Sequence, residues 1–297
     1  MIKLDLDEMK SIEIGILDAF HQFCEENGLE YALAGGTMIG AVRHRGFIPW
    51  DDDIDIVMPR EHYNALLKLE SAFPYPYKIK SIYTEKNKEE PYIYSYIKIV
   101  DVRTRMLEEP DRLRYPTSVY IDIFPVDGVP KNRIKRKILY QVSWLLINIG
   151  YNTNSCVYRE RVRPKEQIGV VKRGLYNGLR ALRKTLPANS FFILCDRFCQ
   201  KYDFQKCELI APIMSGWQYE ALPKRALLPV RKIEFEGKTY MAWNDFDLYL
   251  RTEYGDYMQL PPSEKRVLAH NNIAWWNESY DVPKKVFKDE KDRNNKL

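Results

Sequence analysis

The chain contains no run of about 20 apolar residues, the length a helix needs to cross a bilayer. Its most apolar stretch, Val142 to Ile149, is interrupted by Ser143 and Asn148, so membrane contact is expected to be peripheral. The first residues, MIKLDLDEMKSIEIGILDAF, set acidic groups at intervals among the apolar positions. Secretory signals and transit peptides do not do this, and a cytoplasmic protein is expected. Cysteine is scarce and odd in number, at 24, 156, 195, 199 and 207, which argues against a disulfide framework. A structural zinc site at Cys156, Cys195, Cys199 and Cys207 is conceivable, but the short C-x2-C knuckle is missing and ordinary free thiols are the preferred reading. A strong charge of one sign is missing too. With 46 basic and 41 acidic residues the net charge is +5, too small an excess to mark a nucleic-acid binder, although it favours nucleotides, polyanions or an anionic membrane surface. No internal repeat is present.

What is there is a 297-residue chain, 45% hydrophobic, long enough for one elaborated domain or a catalytic domain with a helical companion. Met9, Ile12, Ile16, Phe20 and Phe23 recur at helical spacing, which predicts an amphipathic helix over Leu6 to Asn27 that stops at Gly28. Tyr31 to Ala34 reads as a short buried strand. Thr37 is expected to cap a short helix to about Val42, and Arg43 to Trp50 reads as a basic loop. A strand through Ile54, Ile56 and Met58 ends at Pro59, before a helix over Arg60 to Leu69. Tyr77 to Tyr83, Tyr92 to Val100 and Val119 to Phe124 are further predicted strands. Lys131 to Tyr202 turns helical, with basic clusters at Lys131 to Lys137 and Lys172 to Lys184. A hairpin around Glu236-Gly237, a helix over Asp245 to Tyr254 and a frayed tail after Pro283 follow. Such an order of elements predicts an α+β fold with a small mixed sheet.

Residues 35 to 58, GGTMIGAVRHRGFIPWDDDIDIVM, carry the chemistry. Side chains at i and i+2 of a strand share a face, so Asp53 and Asp55 project together while Ile54 and Ile56 enter the core. Adjacent carboxylates repel unless a cation lies between them, and hard oxygen ligands suit Mg²⁺ or Mn²⁺ with a phosphate completing the shell. Gly35 and Gly36 allow close backbone approach, and Thr37 lies at the start of a helix whose N–H groups favour an anion. Arg43, His44 and Arg45 are candidates for holding phosphate oxygens. A third ligand is expected on a neighbouring strand. Asp122, a single carboxylate within Val119 to Phe124, is the first choice, because such a buried acid must be compensated; Asp127 is the fallback. Asp51 and Asp52 read either as strand caps or as residues that hold outer water. Trp50, Trp275 and Trp276 are candidates for stacking on a base, a cation or a sugar ring, each with ordinary packing as the plainer alternative.

The block from Gly35 to Met58, with RHRGFIPWDDDID at its centre, resembles the LicD family of phosphotransferases, which belongs to the wider nucleotidyltransferase fold. Gly35 and Gly36 match the family's glycine turn, Asp53 and Asp55 its paired aspartates, and Asp122 in YIDIFPVDG its third acidic position. Lys98 and Thr104 in YSYIKIVDVRT and the stretch FEGKTYMAWNDFDLYLRTEYGDYMQLPP extend the resemblance. It implies a nucleotidyltransferase-like mixed sheet flanked by helices, with an inserted or appended helical region. The division that follows is a catalytic core over 1–130, a helical region over 131–210 for an acceptor or a membrane surface, a segment over 211–283 completing the catalytic domain, and a flexible tail over 284–297. It also implies transfer of a substituted phosphate, phosphocholine or a polyol phosphate, from a CDP-activated alcohol to a saccharide hydroxyl, with release of CMP. Asp53, Asp55 and Asp122 would hold the metal, and Lys98 and Arg43 are candidates for the diphosphate. The acceptor would be a saccharide, lipid-linked in one version, with the protein at the inner face of the membrane.

Three other readings use the same residues. A nucleotidyltransferase would leave NMP on its acceptor. An isoprenoid enzyme would use DDDID as an aspartate-rich diphosphate site, but those motifs lie on helices and this one alternates like a strand. A basic RNA- or membrane-binding module would use 131–137 and 172–184 without catalysis.

Overall fold

A computed structural model describes residues 2–86, 92–108, 116–153, 189–215, 220–268, 270 and 272–277, with positions 174, 178, 181 and 185–187. Cys156, the basic cluster 172–184 apart from three of those positions, and the tail after Pro283 lie outside the described residues. The fold is α+β, as the order of elements predicts.

Helix α1 (Leu6–Asn27) starts at a reciprocal cap, in which Asp5 accepts from the Glu8 N–H and Glu8 accepts from the Asp5 N–H. It ends at Gly28, whose φ of 63° suits glycine. Its apolar face, including Ile12, Ile16 and Phe20, is buried against the main sheet. That sheet runs in the order β1 (Ala32–Leu33), β2 (Asp55–Pro59), β7 (Tyr120–Val129), β4 (Ile97–Asp101), β3 (Tyr77–Lys80). Strands β2 and β7 are parallel and the other neighbours antiparallel. From Asp127 onward, β7 pairs with β8 (Leu209–Ala211), which in turn pairs with β9 (Leu222–Pro223). Pro125 falls between the stretch of β7 paired with β4 and the stretch paired with β8, so its missing N–H breaks no ladder on that side.

A second sheet joins β12 (Ile273–Trp276), β5 (Thr104–Leu107) and β6 (Pro116–Thr117). The hairpin of β10 (Arg231–Phe235) and β11 (Lys238–Ala242) turns at Glu236 and Gly237, both at positive φ, as a two-residue turn between twisted strands requires. Helix α2 (Gly35–His44) follows β1 and α3 (Arg60–Lys68) follows β2, while α6 (Phe246–Tyr254) packs on the turn over Lys224–Ala226. Helices α4 (Arg133–Thr153) and α5 (Ser190–Cys199) form a layer over β8 and the far part of β7. A buried ion pair holds this layer in place. Arg60 donates to both oxygens of Asp127 at 2.6 and 2.8 Å and to Asp196 on α5 at 2.7 Å.

Three local expectations are corrected. Tyr92 to Tyr96 is not strand, because the Tyr92 hydroxyl bonds the Tyr96 carbonyl and the rings of Tyr92, Tyr94 and Tyr96 pack in series. Arg43 and His44 form the last turn of α2 rather than a loop, and Arg45 at φ 58° closes that helix. Thr37 does not cap α2, whose N-cap is Ala34 with no side-chain bond; its hydroxyl accepts the Asp55 N–H at 2.9 Å instead.

Candidate active site

The site is built where β2 and β7 run side by side. Asp55 and Asp122 are register partners across that parallel pair, and Lys98 on β4 is the register partner of Asp122 on its other side. Three strands thus present Asp55, Asp122 and Lys98 in a row on one face, with Asp53 joining from just before β2 by the two-residue period. Lys98 is fully buried and donates to both oxygens of Asp122, at 2.8 and 3.1 Å, and to Glu108 at 3.3 Å. Its ammonium lies over the rings of Tyr120 and Tyr94, 3.1 and 4.2 Å from the centroids, and the hydroxyls of those two tyrosines donate to Glu108.

The fallback ligand Asp127 is not part of this group. It lies five residues beyond Asp122 in the strand, an odd separation that turns it to the other face, and Arg60 takes both its oxygens.

Asp51, Asp52 and Asp53 are brought together. One ligand oxygen from each lies within 4.8 Å of the others, the arrangement among the described residues that could share a cation. The glycine pair makes room for the carboxylates. A Cβ on Gly36 would lie 2.3 Å from Asp51 Oδ2, and one on Gly35, itself at φ 55°, 2.5 Å from Asp55 Oδ2. Asp51 Oδ2 is buried and has no hydrogen-bond partner. Neither has Oε2 of Glu13, a residue of α1 that is 3% exposed.

Burial, then the charge of Asp51, pushes Asp53 up to about 7. Burial and the neighbouring Asp52 push Asp51 up to about 6. Asp55 is raised by burial, then by Asp53 and Asp122. Glu13 is held well above the carboxylate range by burial, then by Asp53 and Asp52. Burial raises Asp122 and lowers Lys98, while the contact between them opposes both shifts. His270 Nδ1 is hydrogen-bonded to Asp52 Oδ1 at 2.9 Å, and donation from the imidazolium to this carboxylate raises His270 to about 9. Three carboxylate oxygens within 4.8 Å of one another, and a buried Asp51 oxygen without a partner, make a set of hard donors that fits Mg²⁺ or Mn²⁺.

The remaining expected residues are distributed as follows. Arg43 donates to the Tyr257 carbonyl at 2.7 Å and stands near Arg266, and His44 meets the Trp50 ring edge-on at 6.4 Å. The Arg266 guanidinium lies 5.7 Å from the Trp50 ring centre. These residues form a basic and aromatic flank beside the aspartates. The Gly35 N–H donates to the Tyr249 hydroxyl at 2.9 Å. Thr104 is structural, bonding the Asp101 carbonyl and the Val119 N–H. Trp276 is buried and packs against Arg103, whereas Trp275 is partly exposed in the β12–β5 pair. Cys195 and Cys199 lie 3.9 Å apart at their sulfurs, and no third potential zinc ligand joins them among the described residues.

Sequence reasoning missed Glu13, Glu108, Tyr94, Tyr120 and His270. Glu13 had a visible signal, since a lone acid at i+4 from Met9 breaks the apolar face of α1. Tyr120 had one too, since it lies two residues before Asp122 and shares its face of the strand; Glu108, Tyr94 and His270 carried none.

A glycine pair opening a helix, with carboxylates gathered at one end of a mixed sheet, defines a site of the nucleotidyltransferase type. Residues 28–168 match the family model described as LicD/FKTN/FKRP, nucleotidyltransferase domain. The chain is 34% identical over 283 residues to the lipopolysaccharide cholinephosphotransferase LicD of Haemophilus influenzae, covering 93% of this chain and 99% of that protein. Shorter matches join it to uncharacterized proteins of Rickettsia typhi, 33% identical over 26% of each chain, and Rickettsia prowazekii, 46% identical over 14% of this chain and 15% of that one. The chain belongs to the LicD family and is a LicD-like phosphotransferase. No helix among its described residues is long and apolar enough to cross a membrane.

Proposed function

We propose that this chain transfers phosphocholine from CDP-choline to a hydroxyl of a saccharide at the inner face of a membrane, releasing CMP in a reaction that needs Mg²⁺ or Mn²⁺. The observation that carries the reading is the group of Asp51, Asp52 and Asp53, close enough to share a cation, with Asp51 and Asp55 packed against Gly36 and Gly35 and a buried oxygen of Asp51 left without a partner. The choice of phosphocholine is supported by the similarity to the Haemophilus influenzae protein, whose name specifies a cholinephosphotransferase acting on lipopolysaccharide.

The acceptor oxygen attacks the phosphorus that bears choline, the bond from that phosphorus to the CMP oxygen breaks, and the hydroxyl proton passes to a carboxylate of the set. Asp53 would hold the metal with Asp51 and Asp52 beside it and with Asp55 on the same strand face, and the metal would supply charge neutralisation at the diphosphate. Lys98 fixes Asp122 beside Asp55 and keeps the local charge from growing more negative. Arg43, His44 and Trp50 provide a basic and aromatic wall suited to the nucleotide end of the donor. Positioning and electrostatics carry most of phosphoryl transfer, so these roles suffice without a covalent intermediate.

The test is CMP release and transfer of choline label from CDP-choline to a lipopolysaccharide-type acceptor, in Mg²⁺, Mn²⁺ or EDTA, with Asp53→Asn as the comparison. Metal-dependent CMP release with label on the saccharide, lost in Asp53→Asn, is the expected result. Cytidine label on the acceptor would overturn it in favour of nucleotidyl transfer.

A further inference from the structure

Helix α4 packs inward through Leu139 and Ser143, against Cys195 and Cys199 of α5. Among the described residues nothing covers its opposite face. Ile134, Ile138 and Leu145 are 72, 52 and 51% exposed. At roughly 100° per residue they fall within about 40° of one another, on the far side of the helix from Leu139 and Ser143. Trp144, 49% exposed, lies beside this stripe within its basic flank, between Arg133 and Lys137 around the helix. Arg133 and Lys137 flank it on one side and Lys135 on the other, all three exposed and without an ion pair among the described residues. The 21 residues of α4 include no Asp or Glu.

We propose that this face of α4 docks on an anionic lipid bilayer. An apolar stripe between basic flanks, with tryptophan at its margin, is the pattern of a helix that lies in the membrane interface. Charge decides among the occupants. A second copy would bring the same cations against themselves. The chain's own segment 154–184 has nine basic residues and two acidic ones, so it would be repelled as well. An anionic lipid surface satisfies both the apolar stripe and its flanks. The helix also leads back toward the chemistry. Near its C-terminal end, Ile147 and Tyr151 join a cluster with Tyr94, whose hydroxyl bonds Glu108, the neighbour of Lys98 and Asp122. A bilayer on this face would bring the chain to a surface that carries a lipid-linked saccharide. In that respect the inference rests on the proposed acceptor class, but docking itself needs no turnover.

The test is co-sedimentation of the full chain with phosphatidylcholine vesicles, with and without phosphatidylglycerol, at low and high salt. Binding is expected only to the anionic vesicles and should weaken in salt. Arg133→Gln, Lys135→Gln and Lys137→Gln together should weaken it by about 100-fold, at roughly fivefold per charge. Ile134→Ser, Ile138→Ser and Leu145→Ser together should abolish it, while circular dichroism reports an unchanged fold because these side chains are exposed. In the wild type, tryptophan fluorescence should shift to the blue on binding, and Trp144→Phe should remove most of that shift. Wild-type protein left in the supernatant, equal binding by both triple variants, or a dimer in light scattering that the apolar variant dissolves would each overturn the proposal. A chain that binds vesicles but transfers no choline refutes only the donor reading. One that modifies a soluble saccharide but ignores vesicles refutes only the docking.

Discussion

Gly36→Ala isolates the close approach of backbone and carboxylate in the site. Gly36 is the second residue of α2 and has no positive φ, so its backbone conformation admits alanine, which is intrinsically the better helix former by up to about 1 kcal/mol. The new Cβ would lie 2.3 Å from Asp51 Oδ2, whereas ordinary contact begins at 3.4 Å. The carboxylate, the free end of a side chain, must retreat by about 1 Å, and displacements of that size at a reacting centre cost about 100-fold in rate. This corresponds to about 2.7 kcal/mol of transition-state stabilisation. Gly36→Ala is therefore expected to keep the wild-type melting temperature within a few degrees, bind Mn²⁺ more weakly by calorimetry, and lose about 100-fold in kcat/KM for CMP release. In an Asp51→Ala background the same substitution should cost almost nothing, because the group it displaces is gone. A folded Gly36→Ala protein with wild-type Mn²⁺ affinity and turnover would refute the reasoning, as would an equal loss in the Asp51→Ala background.

Lys98→Met leaves Asp122 and Glu108 buried without their cation and should lower the unfolding free energy in urea by about 3–5 kcal/mol. The double variant Lys98→Met/Asp122→Leu should regain most of that stability and stay inactive; a single variant as stable as wild type would sink the pairing argument. Burial lifts Glu253 to about 7, so the folded chain keeps a proton that the unfolded chain releases from about pH 4.3 upward. That stabilising contribution is complete below this pH and is lost as pH rises through 7. Glu253→Gln should accordingly melt higher than wild type at pH 8, by about 1 kcal/mol after allowance for solvent screening of a half-buried group, and match it near pH 4. Equal melting temperatures at both pH values would contradict the assignment.

Much of this protein was legible before folding. The periodicity of α1 and its stop at Gly28, the alternation of Asp53 and Asp55 with isoleucines, and the turn at Glu236-Gly237 are local properties, fixed by the repeat of a helix or strand and by the few residues tolerant of positive φ. The resemblance carried by residues 35 to 58 led to the family directly. Where local reading failed, a tertiary contact outweighed propensity. Tyr92 to Tyr96 has strand-forming residues, yet ring packing and a hydroxyl-to-carbonyl bond fold it otherwise. Thr37 has the chemistry of a cap, yet the Asp55 N–H claims its hydroxyl.

The sequence by itself determined that Asp53 and Asp55 share a face, that a glycine pair precedes them, and which family the chain joins, because these depend on neighbours in the chain. Only the tertiary structure decided that Asp122 stands beside Asp55, that Lys98 meets Asp122, that Asp127 is spent on Arg60, and that Glu13 of α1 is buried near the aspartates. Those placements follow from the register of β2, β7 and β4 and from the packing of a helix on them. Such registers are set by the burial of whole faces across long loops, a cooperative property that no local stretch of sequence carries.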